Sequence, residues 1–264
     1  MKSGKKRVLV RGIGATGSAV AHKLFVSGYL VVIHDSPRPA HIRRGMAFVD
    51  AAFDGEAWLE GVGAQHITDP ASTEFFRSLH KAILVYTGNY QLLLSALRPD
   101  ILIDARMRFR GGPEHQKDRA PLVIGVGPGF VAGEHVDCAV ETEPAEAGRV
   151  VIAGPTCGRP GEPQAISGRG QLVEAPKAGV FSTTLDVGAH VDAGELVAQV
   201  DTVELRSPLT GVVSGIVYNG VAVNARAMVI EVAPQDGVER IYGLGERSRR
   251  VADGVLDAIE RFIA

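Results

Sequence analysis

The chain has 264 residues, of which 45% are hydrophobic and 22% charged, and its formal net charge is −2. This balance argues against nucleic-acid binding, which depends on clustered Lys and Arg. Two cysteines, Cys138 and Cys157, are too few for a disulfide scaffold or a four-cysteine zinc site. No run reaches the ~18 apolar residues of a membrane span, and the lysine-containing start lacks the apolar stretch of a signal peptide. We expect a cytoplasmic protein of roughly two domains that binds neither nucleic acid nor membrane.

The clearest local pattern lies in residues 7–35. A short apolar strand leads into Gly12-Ile13-Gly14-Ala15-Thr16-Gly17, residues 18–27 have the apolar spacing of a helix, and residues 30–33 form a second strand that ends before Asp35. This is the strand–GxGxxG–helix–strand pattern of a dinucleotide site, in which the glycines admit a pyrophosphate to the amides at the helix start.

Asp35 is placed to accept hydrogen bonds from a ribose and to repel a 2′-phosphate. We therefore expect the cofactor to be bound by these residues: Gly12, Gly14, Ala15, Thr16, Gly17 and Asp35. The alternatives are a turn that binds nothing and one that binds a different phosphorylated ligand.

Strands and helices continue to alternate as far as residue 104. Residues 73–80 and 90–97 have helical patterns, while residues 82–86 and 101–104 are predicted strands. This alternation predicts a Rossmann-like parallel sheet over residues 1–110. Asp104 and Arg106 follow the last strand, at the edge where such sheets bind ligands, and are the candidate catalytic pair. The alternative is an ion pair that closes the strand.

Residues 111–170 are predicted to form a connecting β/loop segment. Gly127-Pro128-Gly129-Phe130 follows an apolar strand, and Gly127 and Gly129 could present amides to an anion such as a pterin phosphate, or simply form a tight turn. Cys157 lies in a loop rich in Gly and Pro, where a thiol could carry a persulfide or selenide, whereas Cys138 is expected in the core. The histidines show no HxH or HExxH spacing, so we expect no metal site.

An internal repeat occupies residues 171–234. Ala175-Pro176-Lys177-Ala178-Gly179-Val180 recurs 32 residues later as Ser207-Pro208-Leu209-Thr210-Gly211-Val212, which indicates duplicated β-units that share a core. The segment resembles the barrel-sandwich hybrid of biotinyl and lipoyl carrier domains. The carrier lysine is missing from the hairpin Asp201-Thr202-Val203-Glu204, so we expect neither biotin nor lipoate and a docking role instead.

Residues 235–264 contain an amphipathic helix. Its stripe of Val251, Val255, Leu256, Ile259, Phe262 and Ile263 is expected to pack on a domain or on a subunit partner. Pairing of this stripe across a homo-oligomer is one use it could have. The expected class is thus α/β, with a Rossmann-like domain, an all-β barrel-sandwich hybrid and a C-terminal helix.

In the order of its segments the chain resembles the accessory proteins of the selenium-dependent molybdenum hydroxylase system, of the YqeB type. The resemblance depends on Val8-Leu9-Val10-Arg11-Gly12, Arg43-Arg44 ahead of Phe48, residues 100–106, residues 120–130 with Glu141-Thr142, and residues 254–259. The chain departs from the family pattern at Glu143-Pro144 and at Cys157.

This resemblance implies a maturation factor for a molybdenum hydroxylase of the xanthine-dehydrogenase type. Its partners would be the hydroxylase or its maturation proteins, and its ligand NAD or a molybdopterin-type nucleotide. The alternative function is an NAD(H)-dependent oxidoreductase acting on a small polar substrate.

Overall fold

The computed structural model describes residues 5–107, 112–157, 170–235 and 241–263. Over these ranges the chain is mixed α/β, with a large, mostly parallel sheet followed by antiparallel sheets and a C-terminal helix. The expected α/β class is confirmed at this level. The helices are α1 (Ala15–Val26), α2 (Ala51–Asp54), α3 (Thr73–Ser78), α4 (Tyr90–Leu97) and α5 (Glu246–Ile263), with a 3₁₀ turn at Arg44–Met46.

Eleven strands are described before residue 158. They are β1 (Arg7–Arg11), β2 (Leu30–His34), β3 (Glu56–Leu59), β4 (Val62–Ile67), β5 (Ile83–Tyr86), β6 (Ile101–Asp104), β7 (Leu122–Val126), β8 (Val131–Ala132), β9 (Cys138–Val140), β10 (Val150–Val151) and β11 (Gly154–Pro155). Nine of them form one sheet in the order β10-β9-β7-β6-β1-β2-β5-β4-β3. Its central strands are parallel and buried, as expected for a sheet with both faces covered.

The sheet is larger than the sequence pattern indicates. Strands β7, β9 and β10, from the segment predicted as a connector, extend it beyond β6. The hairpin β3–β4 at the other edge was not predicted, because its turn residues Glu60 and Gly61 lack the Asn-Gly or Asp-Gly signature, although both adopt positive φ. Strands β1, β2, β5, β6, β7 and β9 all end at one side of the sheet, called the carboxyl edge below.

The repeat segment folds into two four-stranded antiparallel sheets. Its strands are β12 (Gln171–Glu174), β13 (Gly179–Ser182), β14 (His190–Val191), β15 (Leu196–Val200), β16 (Val203–Arg206), β17 (Gly211–Ile216), β18 (Ala222–Val223) and β19 (Met228–Ala233). Each of β16–β19 begins 32 residues after its counterpart among β12–β15. The strand orders of the two sheets are β12-β19-β17-β14 and β16-β15-β13-β18. Replacing each strand of one sheet by its counterpart 32 residues away gives the order of the other sheet. Phe181, Val197, Val213 and Ile230 are buried in one shared core. We call residues 171–233 the antiparallel module.

Helix α5 packs against α1 and the sheet. Val251, Val255 and Ile259 from the predicted stripe are buried there, while Phe262 and Ile263 at its end are 45% and 38% exposed. Most of this apolar stripe is therefore buried by packing within the chain. None of the helices in the described ranges is long and apolar enough to cross a bilayer.

A segment that we call the strap, residues 36–43, runs from the end of β2 to the antiparallel module. Ile42 is buried in the module's core, and its carbonyl accepts a hydrogen bond of 2.7 Å from the Ile216 backbone N–H. Arg43 forms an ion pair of 2.7 Å with the buried Glu231, and Arg38 donates to the carbonyl of Gly220 at 3.2 Å. The strap thus joins the parallel sheet to the module.

The contact between α1 and the preceding turn predicts a stability effect. A methyl group on Gly17 would overlap the backbone carbonyl of Gly12, which cannot move without shifting β1. We expect Gly17→Ala to lower the free energy of unfolding by at least about 2 kcal/mol, measured by urea denaturation. Gly63→Ala is the control, because its methyl group would meet only the exposed ring of Trp58. Equal, small effects of the two substitutions would contradict this account.

Candidate functional site

The GxGxxG segment forms a tight turn between β1 and α1. Gly12 has a φ of +111°, and a methyl group there would lie 2.6 Å from the carbonyl oxygen of Ala105 at the end of the neighbouring strand. Together with the absence of a side chain at Gly17, this lets α1 start directly at the carboxyl edge. We call residues 12–17 the glycine turn.

The start of α1 is partly accessible. Gly14 is the N-cap residue, and it and Ala15 are half-buried, whereas Thr16 and Gly17 are buried. The first turn contains no acidic side chain, and no side chain caps it. The first amides of a helix have no partner within the helix and carry its positive dipole end, so this position favours an anion.

Asp35 lies against the glycine turn. Its Oδ2 accepts a hydrogen bond of 2.8 Å from the Ile13 backbone N–H and lies 3.3 Å from Nε2 of His41, while Oδ1 accepts from the Ser36 backbone N–H at 2.7 Å. Burial raises the pKa of this carboxyl, but the hydrogen bond and charge of His41 and the two amides outweigh it and lower the pKa to about 2. Asp35 is therefore an ionised acceptor at neutral pH.

Asp104 and Arg106 are held in a buried network. Nε and Nη2 of Arg106 donate to Asp104 at 2.8 and 2.5 Å, and the side-chain amide of Gln116 also donates to Asp104. Asp104 is only 2% exposed. The predicted ion pair thus exists, but it is buried rather than on the surface.

Arg11, which is not among the predicted site residues, also belongs to the network. Its Nη1 donates to Glu114 at 2.9 Å and to Gln116 at 2.7 Å, and its guanidinium lies 3.9 Å from the centre of the Tyr90 ring. Arg106 also pairs with Glu114, at 3.0 Å. Arg11 could have been identified from the sequence, because it is a charged residue at the end of an apolar predicted strand. We call Arg11, Asp104, Arg106, Glu114 and Gln116 the carboxyl-edge network.

The charges in this network stabilise one another. Hydrogen bonding from Arg106, with a further contribution from Arg11, lowers the pKa of Glu114 to about 2, although burial opposes the shift. Burial lowers the pKa of Arg106, but its bonds to Asp104 and Glu114 outweigh this and raise it overall. Nearby His34, at the end of β2, has its pKa lowered mainly by burial. The formal charges of these four residues, Arg11 and Arg106 against Asp104 and Glu114, sum to zero.

Gly127 and Gly129 form a turn beside this network. Both have positive φ, and the carbonyl of Gly127 accepts a hydrogen bond of 2.9 Å from the Thr156 hydroxyl. A cavity of about 10 Å³, which has room for about one water molecule, adjoins the turn. It is lined by Asp104, Met107, Pro113, Val126, Pro128 and Phe130. The structure thus places this small cavity between Asp104 and the two neighbours of Gly127 in the chain, Val126 and Pro128.

The two cysteines differ in environment. Cys138 is buried, and burial raises the pKa of its thiol to about 12. Cys157 is exposed, and its backbone N–H donates at 2.6 Å to the buried carboxylate of Glu141. The hydrogen bond and charge of Glu141 raise the pKa of the Cys157 thiol, which disfavours a reactive thiolate. Arg159, which the sequence places near this thiol, lies outside the described residues.

The fold and this edge define a mixed α/β protein whose parallel sheet presents a glycine turn, a buried acid and a paired charge network side by side. The chain is similar to the uncharacterized protein YqeB of Escherichia coli (strain K12), with 30% identity over 261 residues that cover 97% of this chain and 48% of that protein. The chain thus spans about half the length of the curated relative it matches. No protein-family model matches it.

Solved structures give only distant likenesses. An aspartoacylase family protein from Mesorhizobium loti has 11% identity and a TM-score of 0.24, covering 88% of this chain and 86% of that one. The ectoine utilization protein EutE (DoeB) from Ruegeria pomeroyi has 14% identity and a TM-score of 0.27, covering 87% and 85%. Likenesses this low support no inference about the chain.

The carboxyl-edge network predicts a large effect of removing one charge. Asp104→Ala would leave the Arg106 guanidinium without its buried partner, and we expect a loss of about 3–5 kcal/mol in the free energy of unfolding. Glu204→Ala is the control, since it breaks an exposed pair with Arg206 and should change stability by about 1 kcal/mol or less. Urea denaturation measures both. A loss no larger at Asp104 than at Glu204 would contradict a buried network.

The lowered pKa of Asp35 predicts acid sensitivity. Its ordinary value is 3.8 and its folded value about 2, so its contribution to stability is full above about pH 4 and is lost as the pH falls to about 2. Over that interval we expect the wild type to lose about 1–2 kcal/mol more than Asp35→Asn, measured by urea denaturation at each pH. Parallel stability curves for the two proteins would show that Asp35 is not bound as described.

Proposed function

We propose that this protein binds a nucleotide-bearing ligand at the glycine turn and acts in the cytoplasm as an accessory factor in the maturation of a molybdenum hydroxylase. The ligand would be NAD or a molybdopterin-type nucleotide, held by a Rossmann-like domain. The observation that carries the binding proposal is the joint position of Asp35 and the start of α1. An ionised carboxylate is bonded to the turn's own Ile13 amide, beside the half-buried Gly14 and Ala15.

The geometry suits a ribose joined to a phosphate. The phosphate would take the amides at Gly14, Ala15 and Thr16, where the helix dipole favours negative charge. The ribose hydroxyls would donate to Asp35, and the same charge would repel a 2′-phosphate. Asp104 and Arg106 would close the site from the next strand, since Gly12 lies against the backbone of Ala105 and Arg106.

The assignment to a molybdenum hydroxylase system depends on the family resemblance of the sequence. The similarity to YqeB supports that resemblance, but YqeB is itself uncharacterized and supplies no reaction. In this proposal the partners are the hydroxylase or its maturation proteins, and they bind the antiparallel module.

We infer that the antiparallel module is a barrel-sandwich hybrid without a carrier function. The exchange of its two sheets by the 32-residue offset supports this. The hairpin between β15 and β16 carries Asp201, whose Oδ2 lies 2.9 Å from Nζ of Lys177. Lys177, at the other end of the segment in sequence, is therefore close to this hairpin in space and is ion-paired there.

An NAD(H)-dependent oxidoreductase is the second candidate, and Asp35 is the observation that favours it. Such an enzyme also needs a group that exchanges a proton with the substrate, and Asp104 already accepts bonds from both Arg106 and Gln116. Substrate-dependent change in the absorbance of NADH would support this alternative over an accessory role.

Native mass spectrometry of the purified protein, followed by release of any bound molecule, tests the binding proposal. We expect an NAD-type or pterin-type nucleotide in the wild type and a loss of about tenfold or more in affinity in Gly14→Asp, whose carboxylate would repel the phosphate. Asp is a good N-cap residue, so the helix should be retained.

Gly14→Ser is the matched control, because it adds a side chain of similar position without charge. Binding that falls equally in both variants would indicate a steric effect. A wild-type protein that carries no nucleotide and does not bind NAD⁺ or ADP on titration would contradict the proposal. Loss of hydroxylase activity in cells expressing folded Gly14→Asp would support the accessory role.

A further inference from the structure

The imidazole of His41 lies directly on the glycine turn. A methyl group on Gly14 would be 3.2 Å from Cε1 and Nδ1 of His41, so the ring covers the N-cap residue of α1. Its Nε2 lies 3.3 Å from Oδ2 of Asp35. His41 therefore contacts both groups that a nucleotide would need, the helix start and the acid.

These contacts reproduce those of a ligand. A ring N–H beside Asp35 takes the place of a ribose hydroxyl, and the ring over Gly14 occupies the space through which a phosphate would approach the amides. We propose that His41 is an internal competitor for the nucleotide site, which a ligand must displace in order to bind. This inference rests on the function proposed above.

Displacement of His41 has a consequence at a distance, because His41 belongs to the strap. The next residue, Ile42, is buried in the core of the antiparallel module and accepts the hydrogen bond from Ile216. Arg43 then pairs with Glu231 of β19. A ligand that displaces the backbone at His41 together with its ring would strain the attachment of the strap, and this couples occupancy of the site to the antiparallel module.

The chain that follows the strap is held on α1. Ser18 of α1 donates to the carbonyl of Ile13 at 2.7 Å and accepts a bond of 2.9 Å from the Phe48 backbone N–H. The chain is thus anchored at Asp35 and again at Phe48. Within that interval, His41 is the residue whose side chain lies over the helix start.

Calorimetric titration with ADP, which carries both ribose and pyrophosphate, tests the proposal on the full chain. We expect His41→Ala to bind ADP about tenfold more tightly than the wild type, because no hydrogen bond to Asp35 has to be broken. His41→Gln, whose amide can still donate to Asp35, should fall between the two. The matched control is His80→Ala, which removes an exposed histidine two residues after α3 and should leave affinity unchanged.

The outcomes separate this inference from the proposed function. Tighter binding of ADP by His41→Ala than by the wild type supports both the competitor role of His41 and the nucleotide site. Binding of ADP by this variant alone supports both as well. Weaker binding would make His41 a ligand contact and overturn the competitor role, while leaving the nucleotide site in place. Equal affinities would overturn the competitor role only. Failure of every variant to bind would overturn both, provided that their thermal unfolding matches that of the wild type.

Hydrogen exchange supplies a second readout that does not depend on a substitution. If ADP displaces the strap, the Ile216 amide, which is bonded to Ile42, should exchange faster in the complex. Slower exchange would mean that the strap closes over the ligand, which contradicts the proposal.

Discussion

The absence of a side chain at Gly17 sets the distance between helix α1 and the end of strand β1, and much of the molecule depends on that distance. Any larger residue would overlap the Gly12 carbonyl. The next residue, Ser18, bonds to the carbonyl of Ile13 and to the amide of Phe48. The same helix packs against α5 on its other side. One close contact thus positions the anion-favouring helix start, the residues that follow the strap and the surface on which the C-terminal helix lies.

Two acidic residues at the carboxyl edge, Asp104 and Asp35, differ in their surroundings. Asp104 is 2% exposed and is satisfied by Arg106 and Gln116, so its charge serves mainly to hold neighbouring loops on the sheet. Asp35 is also ionised, but its partners are two backbone amides, the Ser36 hydroxyl at 3.2 Å and a histidine that is one-third exposed. A ligand can compete with a partly exposed histidine far more readily than with a buried guanidinium. This difference favours the glycine turn over the carboxyl-edge network as the proposed ligand site.

The strap connects the parallel sheet to the antiparallel module through side-chain and backbone contacts. Ile42 contributes to the core of the antiparallel module, while His41, one residue earlier, contacts the glycine turn. Because adjacent residues share a backbone, a displacement of the backbone at His41 also acts on Ile42. The antiparallel module consists of two sets of four strands that are 32 residues apart, which indicates a duplication. Each set contributes strands to both sheets.

Local patterns in the sequence determined the glycine turn, helix α1, the central parallel strands and the repeat, because each depends on residues close together in the chain. The tertiary structure decided the rest. Arg11 and Gln116 meet across 105 positions, and Asp104 is buried in the same network. The hairpin β3–β4 lacked a turn signature, and the position of His41 over Gly14 follows from where the module anchors the strap. Side chains brought together by long-range packing leave no periodic or spacing signal, so their contacts could be read only from the folded chain.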